Sequence, residues 1–171
     1  EELGATASDP VLGDGAGSII IDASNVDTTP VGSYPVTYNV TDSQGNAAGE
    51  VERTVNVVDT TAPVITRLGE PTVTVEVGGS YTDAGATASD IGDGELTGAI
   101  VTVNPVDTTK VGSYTVTYDV SDSEGNEATQ VTRTVNIEDT TAPVISLVGV
   151  SAVTVEVGDS YTDAGATARD T

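Results

Sequence analysis

The sequence predicts an all-β fold made of tandem sandwich modules of about 80 residues per repeat. Three observations carry that expectation. The phrase DTTAPVI occurs at 59–65 and again at 139–145, and long flanking stretches repeat with it. Val and Thr alternate over short runs bounded by Gly-, Asp- and Asn-rich turns, which is how half-buried strands read. No long run carries the 3.6-residue period of an amphipathic helix.

The repeat covers the chain. TAPVITRLGEPTVTVEVGGSYTDAGATASD at 61–90 overlays TAPVISLVGVSAVTVEVGDSYTDAGATARD at 141–170. Residues 26–65 overlay 106–145, and GATASD recurs at 4–9 and 85–90. A fixed long period means stacked structural modules. Measured against the period, 1–58 is a module lacking its first strands. Residues 59–139 form a complete module, and 140–171 are the opening strands of a further one.

The elements follow in order. In TVTVEVG (72–78), Val73, Val75 and Val77 share one face, and Thr72, Thr74 and Glu76 the other. GATASD is the strand running back, and SDIGDGEL (89–96) is its loop. In SYTVTYDVSD (113–122), Tyr114, Val116, Tyr118 and Val120 alternate with Thr115, Thr117 and Asp119. DSEGN (122–126) and DSQGN (42–46) are hairpin turns by composition. On the returning strand, Val131, Val135 and Ile137 share a face with Arg133. An Arg on the inward phase implies an edge position or a bulge. Pro35 removes a ladder donor, so that position faces away from its partner strand. The expected core is Val73, Val75, Val77, Tyr114, Val116, Tyr118, Val120, Val135 and Ile137. Six or seven short strands per repeat fit an immunoglobulin-like sandwich, with Tyr114 placed where such folds set a corner tyrosine.

Composition narrows the chemistry. Aromatics make up 4%, six of them Tyr, with no Phe or Trp, so the core is thin and holds no large cavity. There are 27 Asp and Glu against 5 Lys and Arg, a net charge of −22. Nucleic acid is excluded as a direct partner, because phosphate binding needs a basic surface. An anionic membrane surface is excluded for the same reason, and no apolar run is long enough to insert. Divalent cations, a salty medium or plain solubility fit the charge.

Without Cys or His, disulfides, thiolate metal sites and the commonest catalytic base are missing. Lys110 is the only lysine, and its counterpart in the other repeat is Pro30. Paired-carboxylate hydrolysis needs a cleft that a thin sandwich does not offer. The chain is expected not to be an enzyme. NVT at 39–41 becomes DVS in the next repeat, so a glycosylation role is not expected. Beginning at Glu1, the chain reads as a processed product or a fragment.

The motif TAPVIxLxG, followed by VTVEVGxSYTDAGATAxD, DGELTGxI and VDTTxVGSYTVTYxVxDSxGNxATxxxRTVNxxD, resembles the bacterial Ig-like repeats of very large surface and secreted proteins. Hyalin-type and cadherin-like repeats are more distant likenesses. The resemblance implies an extracellular or cell-surface location and a spacer or adhesion role, as the stalk or fibre of an adhesin or appendage. It also implies calcium at the joints between modules.

Tracing the strands places candidate ligands for calcium, which takes six to eight oxygens. The linker, the 89–96 loop and the last hairpin fall at one pole of the module. Asp59, Asp90, Asp93, Asp122 and Asn126 are therefore expected to converge there. Asp139 and Asp170 would serve the next joint, and Asp9, Asp14, Asp42 and Asn46 the first module. No EF-hand spacing is present. A carbohydrate- or ice-binding module is the competing reading, with Thr115 and Thr117 or Thr72 and Thr74 as short threonine pairs. Neighbouring copies or modules are the expected partners. Thr141–Val157 is expected to pack head to tail on residues 1–58, either within a longer array or by strand donation between subunits.

Overall fold

The computed structural model describes residues 4–10, 13–14 and 19–170, with Gly13 and Asp14 as backbone only. The strands are β1 (Ser8–Asp9), β2 (Gly13–Asp14), β3 (Ile20–Asp22), β4 (Gly32–Asn39), β5 (Val51–Val57), β6 (Val64–Arg67) and β7 (Thr72–Glu76). They continue with β8 (Ala86–Asp90), β9 (Gly94–Glu95), β10 (Val101–Val103), β11 (Gly112–Asp119), β12 (Val131–Glu138), β13 (Val144–Leu147) and β14 (Ala166–Arg169). A 3₁₀ turn at Thr97–Ala99 is the only helical element among the described residues. None of their helices is long and apolar enough to cross a membrane.

Contacts gather the chain into two units. One comprises 1–64, 88–99 and 120–129, and the other 65–87, 100–119 and 130–171. A further sheet is ordered β6-β8-β9.

The first unit carries an antiparallel sheet in the order β3-β4-β5. Period-two alternation along β4 sends Val36 and Tyr38 inward, and both are buried. The Arg53 guanidinium lies 5.7 Å over the Tyr38 ring. β3 pairs only as far as Thr37, so at Pro35 one side of β4 has no neighbour to receive a hydrogen bond. Beyond β4 the chain turns tightly. The Asp42 amide donates to the Asn46 carbonyl at 2.9 Å, and Gly45 donates to Asp42 at 3.1 Å. Gly45 sits at φ 89°, and its counterpart Gly125 at 87°, a region where a side chain is strained.

The second unit is built on a sheet in the order β10-β11-β12-β7. β11 and β12 pair antiparallel from Gly112↔Ile137 to Tyr118↔Val131. β7 joins β12 in parallel, from Thr72↔Thr134 to Glu76↔Glu138. Val116, Tyr118 and Val135 are fully buried, and Ile137 nearly so. Val73, Val75 and Val77 are only half-buried, because β7 is the outer strand. Tyr114 is half-buried as well, and its hydroxyl donates to the Lys110 carbonyl at 3.1 Å. Tyr34 repeats this contact on Pro30 at 3.1 Å in the first unit. The corner role assigned to this tyrosine is therefore present twice.

Arg133 corrects one expectation. Its strand lies between β11 and β7, and the ladder runs unbroken through Val116↔Arg133. Neither an edge nor a bulge accommodates the charge. It is neutralised in place: Arg133 is 2% exposed, and its Nε lies 3.2 Å from Asp83 Oδ1. That nitrogen makes no hydrogen bond, so the pairing is charge on charge. Arg133 Nη2 donates to the Leu68 carbonyl. Tyr81 and Tyr118 donate their hydroxyls to Asp83 Oδ1 at 2.7 and 2.8 Å. Burial pushes the Asp83 carboxyl up, but the two hydroxyls and Arg133 together hold it below its ordinary value.

Two features lie beyond β12. The Glu76 carboxylate accepts hydrogen bonds from Thr140 N and Oγ1 at 3.1 and 2.6 Å, and from Thr141 N and Oγ1 at 3.2 and 2.8 Å. β13 then pairs with β14 from Val144↔Arg169 to Leu147↔Ala166. Residues 152–157, which match β7 in sequence, form no strand. β7 draws its ladder from β12, and no described strand takes that place for 152–157.

Candidate metal centre

The turn Asp122–Asn126 builds one side of the site. Asp122 Oδ1 accepts the Asn126 amide N–H at 2.7 Å, and Oδ2 accepts Asn126 Nδ2 at 2.7 Å. This is the local bonding that makes Asp and Asn turn residues, and Asp42 with Asn46 repeats it at 2.8 Å. In the second repeat the same turn takes on longer-range partners. Asn126 Nδ2 also reaches the Asp59 carbonyl at 3.3 Å, drawing the linker onto the turn.

The Asp90–Asp93 loop supplies the other side. Asp93 accepts Ser123 N at 2.7 Å and Ser123 Oγ at 2.8 Å, which ties loop to turn. Asp90 Oδ1 accepts Gly92 N at 2.7 Å, while Asp90 Oδ2 is buried with no hydrogen-bond partner. Gly92 is needed for space. A Cβ there would lie 2.1 Å from Asp59 Oδ2 and 3.4 Å from Asp90 Oδ1. The Asp59 carboxylate therefore packs directly on the loop.

The structure thus draws Asp59, Asp90, Asp93, Asp122 and Asn126 into one neighbourhood. One carboxylate oxygen each from Asp59, Asp122 and Glu124 lies within 4.8 Å of the others. Glu124 was not foreseen; it is the middle residue of DSEGN, and turn composition does not say which way a side chain points. Asp122 is 9% exposed. Burial pushes its carboxyl up, and the Asn126 side-chain and backbone donors outweigh that, holding it below the ordinary carboxylate range.

The remaining candidates are arranged differently. Asp139 and Asp170 are exposed, and no third carboxylate joins them among the described residues. Asp42 and Asn46 bond each other. Asp9 pairs with Gly13 in the β1–β2 ladder. The side chain of Asp14 lies outside the described residues.

Like charges brought this close repel one another when ionised, so a cation between them is favoured. An all-oxygen donor set, with a buried oxygen left unpartnered beside it, fits a hard divalent cation. The residues that would hold it are Asp59, Asp122 and Glu124. The pairing of Asp122 also gives a pH dependence. Its folded value is depressed, so its stabilisation is full above the ordinary carboxylate range near 3.8 and is lost as pH falls through the folded value. Thermal melts are expected to be flat from neutral pH down to about 5 and to fall below about 4, with Asp122→Asn less acid-sensitive than wild type.

Comparison with known proteins places the chain. The family model for the bacterial surface protein Ig-like domain matches residues 1–57 and 65–137. Hyalin of Strongylocentrotus purpuratus is 35% identical over 94% of this chain, which spans 14% of that protein. Hyalin of Lytechinus variegatus is 34% identical over 93% of this chain, which spans 32% of it. Among solved structures, the lipoprotein BT2262 of Bacteroides thetaiotaomicron aligns with 47% of this chain and 39% of its own, at 26% identity and a TM-score of 0.42. With a family match over most of its length and the alternating-strand sheets described above, the chain belongs to the bacterial surface protein Ig-like domains.

Proposed function

We propose that the chain is a non-enzymatic, extracellular structural module, part of the stalk or fibre of a surface adhesin or appendage, whose joints are stiffened by calcium. The observation that carries this reading is the parallel pairing of β7 with β12. Tension that pulls the chain before Thr72 away from the chain after Glu138 loads that ladder along its length. All its hydrogen bonds then resist together rather than opening one at a time. Two further bonds lengthen the ladder, Thr134 N to the Pro71 carbonyl at 2.9 Å and Val77 N to the Glu138 carbonyl at 2.8 Å. The amide and hydroxyl groups of Thr140 and Thr141, all donating to Glu76, fix the outgoing chain to the same strand.

Calcium enters this reading through the carboxylates. Neutralising Asp59, Asp122 and Glu124 ties the incoming linker to the last hairpin. Gly92→Ala is expected to push the Asp59 carboxylate aside. The thermal midpoint without calcium should stay near wild type while the gain on adding calcium shrinks. An unchanged gain places the cation elsewhere.

Pulling single molecules from their two ends tests the mechanical reading. Val75→Pro removes a ladder donor and strains the strand, so the variant is expected to yield at clearly lower force than wild type. Equal forces would contradict the assignment of the β7–β12 ladder as the resisting element.

A further inference from the structure

β7 ends on a glutamate whose backbone is fixed from several directions. Val77 N donates to the Glu138 carbonyl at 2.8 Å, and Gly78 N to the Thr108 carbonyl at 2.7 Å. The chain turns there, with Gly78 at φ 78° and Gly79 N donating back to the Glu76 carbonyl at 2.9 Å. Glu76 is thereby anchored to β12, to the turn around Thr108 and to its own turn. In the ladder it lies opposite Glu138. Like charges placed opposite each other weaken a sheet, so strand pairing does not account for a carboxylate at this position.

The side chain's partners account for it. Glu76 Oε1 accepts Thr140 N at 3.1 Å, Thr141 N at 3.2 Å and Thr141 Oγ1 at 2.8 Å. Its Oε2 accepts Thr140 N at 3.2 Å and Thr140 Oγ1 at 2.6 Å. An ionised carboxylate offers about four lone-pair sites, and two consecutive threonines fill them with their amides and hydroxyls. The Thr140 hydroxyl foremost, and then the Thr141 hydroxyl, hold the Glu76 carboxyl below its ordinary value. The acceptor is therefore charged at neutral pH, and hydrogen bonds to a charged acceptor are the stronger kind. Only Ala142 and Pro143 separate this contact from β13, and a residue before proline is restricted to extended backbone.

We propose that Glu76 is a latch that fixes the direction in which the chain leaves the repeat toward β13, and that the two threonines of DTTAP are the groups it recognises. The latch rests on the reading of the chain as a structural module. It does not depend on calcium, because it uses none of Asp59, Asp122 and Glu124. Both of its halves recur with the period, VTVEVG at 73–78 and 153–158 and DTTAP at 59–63 and 139–143. A turn position without such a partner is free to vary, as Lys110 against Pro30 shows. Threonine suits the task because each one brings an amide and a hydroxyl on a stem that is stiff at χ1. With the anchor held on one side and proline on the other, few backbone dihedrals stay free between β12 and β13.

Residual dipolar couplings and amide exchange of the 171-residue chain, both recorded in chelator, test this. In wild type the amides of β11 and β12 and those of β13 and β14 are expected to report one common alignment, with slow exchange at Thr140 and Thr141. Glu76→Ala is expected to shrink the couplings of β13 and β14 relative to those of β11 and β12. It is also expected to speed exchange at both threonine amides by about tenfold or more, the loss of a hydrogen bond to a charged group. Glu76→Gln keeps one acceptor oxygen and is expected to fall between the two. Thr140→Val combined with Thr141→Val removes the hydroxyls alone, and it too is expected to loosen β13 and β14. This pair approaches the latch from the donor side, so the test stands even if Glu76→Ala disturbs β7. Couplings and exchange that stay as in wild type in both the alanine variant and the threonine pair overturn the latch. So does a wild-type chain whose two sheets align separately until calcium is added. A common alignment in chelator, lost in the variants, supports the latch even where melting proves insensitive to calcium.

Discussion

Asp83→Ala is expected to destabilise the fold around β11, β12 and β7 by about 3–5 kcal/mol, the usual cost of removing one partner from a buried ion pair. That is a large fraction of the 5–15 kcal/mol by which domains are commonly stable. The reason lies in what remains. Arg133, 2% exposed, would keep its charge with no counter-ion. Tyr81 and Tyr118 would lose the acceptor of their hydroxyls. Urea unfolding followed by the tyrosine signal measures the loss. Asp83→Leu combined with Arg133→Met removes both charges and is expected to recover most of it, since apolar replacement of a buried pair is often neutral or better. A single variant as stable as wild type would show that the pair contributes nothing.

Val135→Asp is expected to unfold the module outright. Val135 is fully buried, and its ladder partners are Tyr114 and Val73. The one cation on its face, Arg133, is already paired with Asp83, so the carboxylate would be buried without a partner of its own, at a cost of several kcal/mol on the order of the whole stability. Val116 is a poorer place for this test. It lies opposite Arg133 in the ladder, and an Asp there gains a partner. A folded Val135→Asp chain, read by dispersion of its amide spectrum, would mean that the inward face is wrongly assigned.

These two sites show what could be read from residues alone. β4, β11 and β12 are long enough for period-two alternation to declare the buried face, and Val116, Tyr118, Val135 and Ile137 are where that pattern puts them. Ile65 and Ala88 also belong to the core, but Ile65 sits on a strand of four residues and Ala88 on ATASD, whose small and polar side chains carry no apolar alternation. The alternation of Val73, Val75 and Val77 gave the right face but too much burial, because a sequence does not say which strand lies outermost. Arg133 looked like a marker of an edge because its partners, Asp83 and two tyrosines, come from distant positions. At the candidate metal centre, turn chemistry marked Asp122 and Asn126, and strand tracing brought in Asp59, Asp90 and Asp93. Glu124 stayed hidden because its contribution depends on a rotamer.

The most direct test of the calcium-stiffened joint is the thermal midpoint of wild type and Asp122→Asn, each in excess calcium and in chelator. Binding to the folded state at 100 times the dissociation constant stabilises by about 2.7 kcal/mol, and each kcal/mol moves the midpoint of a domain this size by about 4–8 °C. Wild type is expected to melt at least several degrees higher in calcium, and Asp122→Asn to show little or none of that gain. A wild-type midpoint that is the same in calcium and in chelator would contradict the account.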